Sequence, residues 1–216
     1  MPNYLRSIIL FILLHSIKII CGQPIDSIDN KVCLKIAPLA FLDIYSGMSP
    51  RIGIEYKIQN TFSMYNEIGT YISGPNSMQN NTGLLSKTEF KKYFNTNGFT
   101  NGNYFAIEFF YKHQKFRLTD SISLNTKYEK EYSVEKGVTC LTIKYGQLSA
   151  FKYRFIVDVF IGLGIRYKVS ATSLTTEENK HIVPVGDYHF NLFVGEEGKF
   201  VYPNFDAGVK IGYRIK

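Results

Sequence analysis

Tryptophan is absent from this chain of 216 residues, and there are only three cysteines. No CxxC or Cys/His spacing surrounds Cys33 or Cys140, which excludes the usual signature of a zinc site. These two are read as small strand residues, with a disulfide in an oxidising compartment as the alternative. No uninterrupted stretch reaches the roughly 20 apolar residues that a membrane-spanning helix needs. The longest run, Ile8 to Leu14, is broken soon after by His15, Ser16 and Lys18. Charge of one sign is not concentrated anywhere. Lys and Arg total 25 against 18 Asp and Glu, but they are dispersed, whereas a nucleic-acid binder gathers them on one face.

What is present is aromatic and alternating. The chain holds 16 Tyr and 17 Phe, and 45% of its residues are hydrophobic, a composition that predicts one ordered domain. Its first residues, "MPNYLRSIILFILLHSIKIICGQ", place Arg6 before a short apolar run and a polar break, the layout of a secretory signal peptide. The division expected is a leader over 1–22 and a single domain over 23–216. Cleavage is placed near Gly22 or Gln23. Acylation of Cys21 is the alternative, although Ile20 before it is bulky for that processing. Without Arg6 and Lys18 the formal charge falls from +7 to +5.

The closing stretch "NFDAGVKIGYRIK" has period two. Phe205, Ala207, Val209, Ile211, Tyr213 and Ile215 share one parity, against Asn204, Asp206, Gly208, Lys210, Gly212 and Arg214 on the other. Side chains alternate faces along a strand, so one face is apolar and the other carries glycine and charge. "RIGIEYKI" from Arg51, "NYFAIEFFYKH" from Asn103, "CLTIKYG" from Cys140 and "RFIVDVFIGLGIRYKV" from Arg154 repeat the grammar. Strands near Cys33 to Leu42, at Phe62 to Ile72 and from about Phe116 bring the expected number to eight. Short turns are expected at Gln59, at His113 in "HQK" and at Leu148. Longer loops are expected at Tyr45 to Ser49, Ser73 to Gly102, Lys127 to Lys136 and Ser170 to Pro203, and "NNT" at Asn80 marks the second of these as exposed. Short turns at one end and long loops at the other are what transmembrane barrels show. The fold class predicted is all-β, an eight-stranded antiparallel up-and-down transmembrane β-barrel.

Alternation alone does not say which face meets water. Glycine interleaved with long polar side chains suits a narrow lumen, because eight strands leave an interior just wide enough for side chains to fill. On that reading Glu55, Glu67, Glu108, Lys112, Lys144, Asp158, Arg166, Asp206 and Lys210 form a lumenal charge network. Both signs are present, as burial requires. Tyr56, Tyr111, Tyr167 and Tyr213 lie on the apolar parity near strand ends and form an expected interfacial girdle.

"IAPLAFLDIYSGMSPRIGIEYKI", "FSMYNEIG", "DVFIGLGIRY" and "AGVKIGYRIK" together resemble a family of small outer-membrane β-barrels from Bacteroidota that carries a domain-of-unknown-function label. The resemblance spans roughly Cys33 to Lys216. It implies a location in the cell outer membrane and the barrel fold, and it brings no catalytic residues with it. Many outer-membrane barrels close on an aromatic residue for assembly, a part that Tyr213 would take here. The partners implied are outer-membrane lipid and lipopolysaccharide and the barrel-assembly machinery, with no nucleic acid and no cofactor.

Candidate catalytic groups are sparse. His181 and His189 flank Asp187, with Ser170 and Ser173 upstream, but a triad is recognised by geometry rather than nearness in sequence. No third ligand stands at a metal-binding spacing from the two histidines. Opposite charge on two loops, +2 over Ser73 to Gly102 and −3 over Ser170 to Pro203, suggests that they dock on each other or favour different partners. The function expected is non-catalytic, a filled barrel whose loops make contacts. One alternative is a narrow anion-preferring channel with Arg51, Lys57, Arg154, Lys168 and Arg214 at its mouths. Another is a secreted soluble barrel that binds an apolar ligand.

Overall fold

The computed structural model describes residues 32–42, 47–72, 78–94, 101–124, 126–151, 154–183 and 197–215. The leader, its cleavage site, Cys21, Asp187 and His189 lie outside these residues. The described strands are β1 (Val32–Ile36), β2 (Arg51–Gln59), β3 (Phe62–Tyr71), β4 (Gln79–Tyr93), β5 (Asn101–Ser123), β6 (Lys127–Phe151), β7 (Phe155–Thr172), β8 (Ile182–Val183) and β9 (Gly198–Ile215). One short helix, α1 (Thr176–Lys180), precedes β8.

All strands except β8 close into one antiparallel ring of eight, in which β9 returns to pair with β1 and β4 pairs with β5. Starting at Ile211 and following cross-strand partners through Ile36, Ile52, Ile68, Ser86, Tyr111, Thr139 and Tyr167 leads back to β9 at Val201. The path returns ten residues from its start, a shear of 10. In a barrel of this size such a stagger goes with a strand tilt of about 40°.

The eight-strand expectation is met, but several of the strands differ from those expected. The first, expected from Cys33 to Leu42, ends at Ile36, and Pro38–Leu42 is a turn of 3-10 helix, because Pro38 has no N–H for a ladder. The stretch taken for a loop over Ser73 to Gly102 contains β4, which pairs on both sides. The turn expected at His113 does not exist, because β5 runs through "HQK" without a break, and the strand expected from Phe116 is its upper half. Lys127 to Lys136, expected as a loop, is the first part of β6. The reason lies in what the outward positions face. On β4 they include Ser86 and Thr88 beside Leu84 and Phe90, so apolar contrast between the faces is weak. Past His113 the apolar residues of β5 change parity, from Phe105, Ile107, Phe109 and Tyr111 outside to Phe116, Leu118 and Ile122 inside, while its ladder to β6 continues to Ser123. Hydrogen bonding keeps such a strand; hydropathy alternation does not reveal it.

The ends of the barrel differ. The β2–β3, β4–β5 and β6–β7 connections, together with the β1–β9 seam, lie at one end. At the other end β5 and β6 continue as a long hairpin, and Met78, Phe116, Leu118, Ile122, Tyr132, Val134 and Leu174 form a core there, outside the ring's lumen. A second apolar cluster, Cys33, Tyr93, Tyr104, Ala106, Leu148 and Ile156, fills the lumen near the turn end. Cys33 and Cys140 are buried and unpaired with each other.

The head at the loop end is tied down by one carboxylate. Thr175 and Glu178 form a capping box on α1, which satisfies backbone donors that the helix start leaves open. The other oxygen of Glu178 accepts from Lys130 Nζ at 2.6 Å and from Tyr128 Oη at 3.1 Å on β6. The hydrogen bond from Lys130, followed by that from the Thr175 backbone, lowers the Glu178 carboxyl from 4.5 to about 2. A lowered folded-state value means that the ionised form stabilises the head above about 4.5, and that this contribution is lost as pH falls toward about 2. Glu178→Gln is expected to lower amide protection of α1 at neutral pH and to remove the acid dependence in that window, read by hydrogen exchange corrected for the intrinsic rate at each pH.

Candidate functional site

The charged parity faces inward. Lys35 on β1, Glu55 on β2, Lys91 on β4 and Asp158 on β7 meet at one level with their side chains fully buried. Lys35 pairs with Glu55 and lies 2.6 Å from Asp158; Lys91 lies 2.7 Å from Asp158 and 3.2 Å from Glu55. Hydroxyls supply the remaining contacts. Tyr93 and Ser63 donate to Glu55 at 2.6 and 2.5 Å, and Tyr104 donates to Asp158 at 2.6 Å.

Lys91 links this group to a second, lying 3.6 Å from Glu89. Glu89 also accepts Lys210 at 2.6 Å and Lys144 at 3.1 Å. Lys144 reaches Glu108 at 2.5 Å and Asp206 at 2.7 Å, and Lys87 completes the upper layer at 3.4 and 3.5 Å from the same two carboxylates. The lysines at 35, 87, 91, 144 and 210 thus face five carboxylates, at 55, 89, 108, 158 and 206, and the network is neutral as a whole. Ammonium groups also lie over aromatic faces, with Lys210 4.0 Å from the Tyr65 centroid and Lys144 4.1 Å from that of Phe160. Such burial is tolerable because each charge is paired and hydrogen-bonded.

Glycines make room for the rings. Gly146 lies directly across from Tyr104, and a Cβ there would stand 2.4 Å from the ring. The ring cannot simply swing away, since its hydroxyl is held by Asp158. Gly146→Ala is expected to destabilise the barrel by about 1–3 kcal/mol through overpacking, measured as a lower urea midpoint. Gly53 likewise makes room for the Tyr65 ring, though its cross-strand partner is Glu67, the residue to which the Tyr65 hydroxyl donates at 2.5 Å.

Of the residues expected in the network, Glu55, Glu108, Lys144, Asp158, Asp206 and Lys210 come together. Glu67 stands apart, with Arg51 4.0 Å away. Lys112 and Arg166 lie nearer the loop end, where Lys112 approaches the Tyr71 hydroxyl at 3.4 Å. Lys35, Lys87, Glu89 and Lys91 were not expected there. The signal for three of them was available in "KTEFK", which puts Lys87, Glu89 and Lys91 on a single parity. Lys87, Glu89 and Lys91 are therefore not charges of an exposed loop, and the proposed docking of a basic loop on an acidic one has no basis. Asn80 lies in β4 rather than in a loop. Arg214 is not at a mouth but fully buried near the turn end.

The catalytic candidates do not assemble among the described residues. His181 Nδ1 contacts the Glu177 carbonyl at 2.9 Å, Ser170 is buried, and the Ser173 hydroxyl accepts from the Ser133 backbone at 3.0 Å. No group of three or more His, Cys, Asp or Glu suited to a metal occurs among the described residues.

The apolar parity faces outward. Ile107, Phe109, Leu141, Ile143, Ile161, Leu163 and Phe205 are all exposed. Tyr56 and Tyr213 lie toward the turn end, where the Phe155 ring is 5.3 Å from that of Tyr213. Tyr111 and Tyr167 lie toward the loop end, each opposite Thr139. Phe155 and Tyr167 are twelve residues apart on β7. At about 3.3 Å per residue and about 40° of tilt their levels differ by roughly 30 Å. β3 and β4 carry the least apolar part of this surface, with Asn66, Ser86 and Thr88 outward; the Thr88 hydroxyl donates to the Asn66 amide oxygen at 3.0 Å.

No protein-family model and no curated protein matches the chain. Among solved structures, the crystal structure of the N-terminal β-barrel domain of Pseudomonas aeruginosa OprF is similar at 13% identity and a TM-score of 0.39, over 86% of this chain and 98% of that one. A TM-score so low carries no argument about this chain, and the assignment as an eight-stranded antiparallel β-barrel rests on its own strand register.

Proposed function

We propose that the chain is an integral outer-membrane β-barrel, with a side-chain-filled lumen, a non-catalytic role and an ordered head that makes contacts outside the cell. The observation that carries this reading is the inverted distribution of polarity. Large apolar side chains cover the outside, whereas lysines and carboxylates are buried within. Water on the outside would leave this surface without a partner, and an exposed apolar area of such extent marks contact with protein or membrane. Membrane barrels carry an apolar band about 25 Å tall between aromatic girdles, which suits the levels of Tyr56, Tyr111, Tyr167 and Tyr213. Membership of the Bacteroidota barrel family belongs to the same proposal, as do lipopolysaccharide and the assembly machinery as partners.

A soluble barrel for an apolar ligand would need the apolar parity inside, and that parity is outside. A channel would need a continuous path. The lumen is instead crossed by the Lys35, Glu55, Lys91 and Asp158 layer and by Leu148 and Ile156 below it, all buried. The test is gel mobility of boiled and unboiled samples after detergent extraction of membrane fractions. A heat-dependent shift in the outer-membrane fraction is expected. Recovery in the soluble periplasmic fraction without detergent would overturn the proposal.

A further inference from the structure

Above the neutral network the lumen holds a cavity of about 330 Å³ at the loop end of the barrel. Its floor is formed by Lys87, Glu108 and Asp206, which satisfy one another. Its walls carry Arg51, Lys112 and Arg166 against the carboxylate of Glu67. Leu39, Phe110 and Val138 supply apolar surface beside them.

Arg166 is the informative member. Its guanidinium donates through Nε and Nη2 to Asn204 Oδ1 at 3.1 and 2.7 Å. Asn204 is fixed in turn, its amide nitrogen donating to Thr142 Oγ1 at 3.0 Å. The guanidinium also bonds to the Cys140 side chain across the strand pair. Neither the amide nor the cysteine is a carboxylate, so they orient the guanidinium without an ion pair. No carboxylate among the described residues forms an ion pair with Arg166, and the side chain remains accessible to solvent. In the network below, five lysines are matched by five carboxylates, whereas Arg166 is held by neutral partners.

We propose that this cavity binds a small organic carboxylate, with the carboxylate on Arg166 and a compact apolar body against Phe110 and Val138. With the Nε and Nη2 edge on Asn204, the carboxylate meets the remaining Nη hydrogens, and a charge-assisted contact of this kind is stronger than a neutral one. The volume is at the lower end of the range for small-molecule sites, about 300–1,000 Å³. The site rests on the lumen and not on the membrane reading; only its access from outside the cell depends on that reading.

The test is calorimetric titration of the folded full-length barrel with benzoate, with inorganic phosphate in a parallel arm. Benzoate is expected to bind, and Arg166→Met to weaken it by about tenfold or more, the worth of one charge-assisted hydrogen bond. Asn204→Asp places a carboxylate on the same guanidinium without removing it, and is expected to give a similar loss. That variant keeps the test open if Arg166→Met does not fold, and Lys92→Met, on the outer face, is expected to bind as the parent does. Absence of benzoate binding, affinity unchanged in both variants, or binding of phosphate in preference to benzoate would each overturn the proposal. Should the barrel prove soluble, the titration runs without detergent and the outcomes keep their meaning.

Discussion

Replacing Lys91 by methionine is expected to destabilise the barrel by about 3–5 kcal/mol, because removal of one partner leaves buried charge uncompensated. Lys91 is fully buried and touches Asp158, Glu55 and Glu89 at 2.7, 3.2 and 3.6 Å. Methionine fills a similar volume, so the effect isolates the charge from the packing. The next residue, Lys92, points outward over the Phe62 ring at 5.5 Å. Its change to methionine is expected to stay within about 0.5 kcal/mol, as for surface substitutions generally. Adding Glu55→Gln to the Lys91 variant restores neutrality, leaving Lys35 with Asp158, and is expected to recover part of the loss. Urea unfolding followed by far-UV circular dichroism, on barrels folded in detergent, reads all three. Equal midpoints for the Lys91 and Lys92 variants would show that the lumenal network contributes nothing to stability.

Ile161→Arg is expected to cost about 2–4 kcal/mol in a bilayer, the penalty for a cation on the lipid face near the membrane midplane. Ile161 is 51% exposed on the outside of β7, midway between Phe155 and Tyr167. Val169→Arg lies past Tyr167 on the same face, where the penalty falls to about 0–1 kcal/mol. The contrast between the two is the informative quantity. A barrel surrounded by water would tolerate both, since arginine on a solvated strand face buries no charge. The measurement is the heat-modifiable fraction in lipid vesicles, followed by urea titration of each variant. Equal behaviour at the two depths would remove the membrane from the proposed function.

The hairpin core at the loop end was the least legible part of the fold. Its strands are the upper halves of β5 and β6, where charge dominates Lys127 to Lys136 and masks Tyr132 and Val134. The ladder from Arg117↔Ser133 to Ser123↔Lys127 is held by backbone hydrogen bonds and by packing of Phe116, Ile122 and Tyr132 against Leu174, which is far along the chain. Period-two contrast cannot report such contacts. β4 was hidden for a related reason, since hydroxyls on its outer face and charges on its inner face are both polar. The Arg166 and Asn204 pairing was equally invisible, because it joins β7 to β9 across the lumen side of the sheet.

The sequence by itself determined that two faces exist and which residues belong to each. Backbone geometry sends neighbouring side chains to opposite sides, so the parity of Ile211, Tyr213 and Ile215 was set before any fold was known. Only the tertiary structure decided which lysine meets which carboxylate. Lys35 and Asp158 are 123 residues apart, yet they lie 2.6 Å from each other. The physical reason is the stagger of the ring. With a shear of 10, strands tilt and climb past one another, so residues at one height come from unrelated positions along each strand. That closure condition belongs to all eight strands together and is not encoded in the pattern of any one of them.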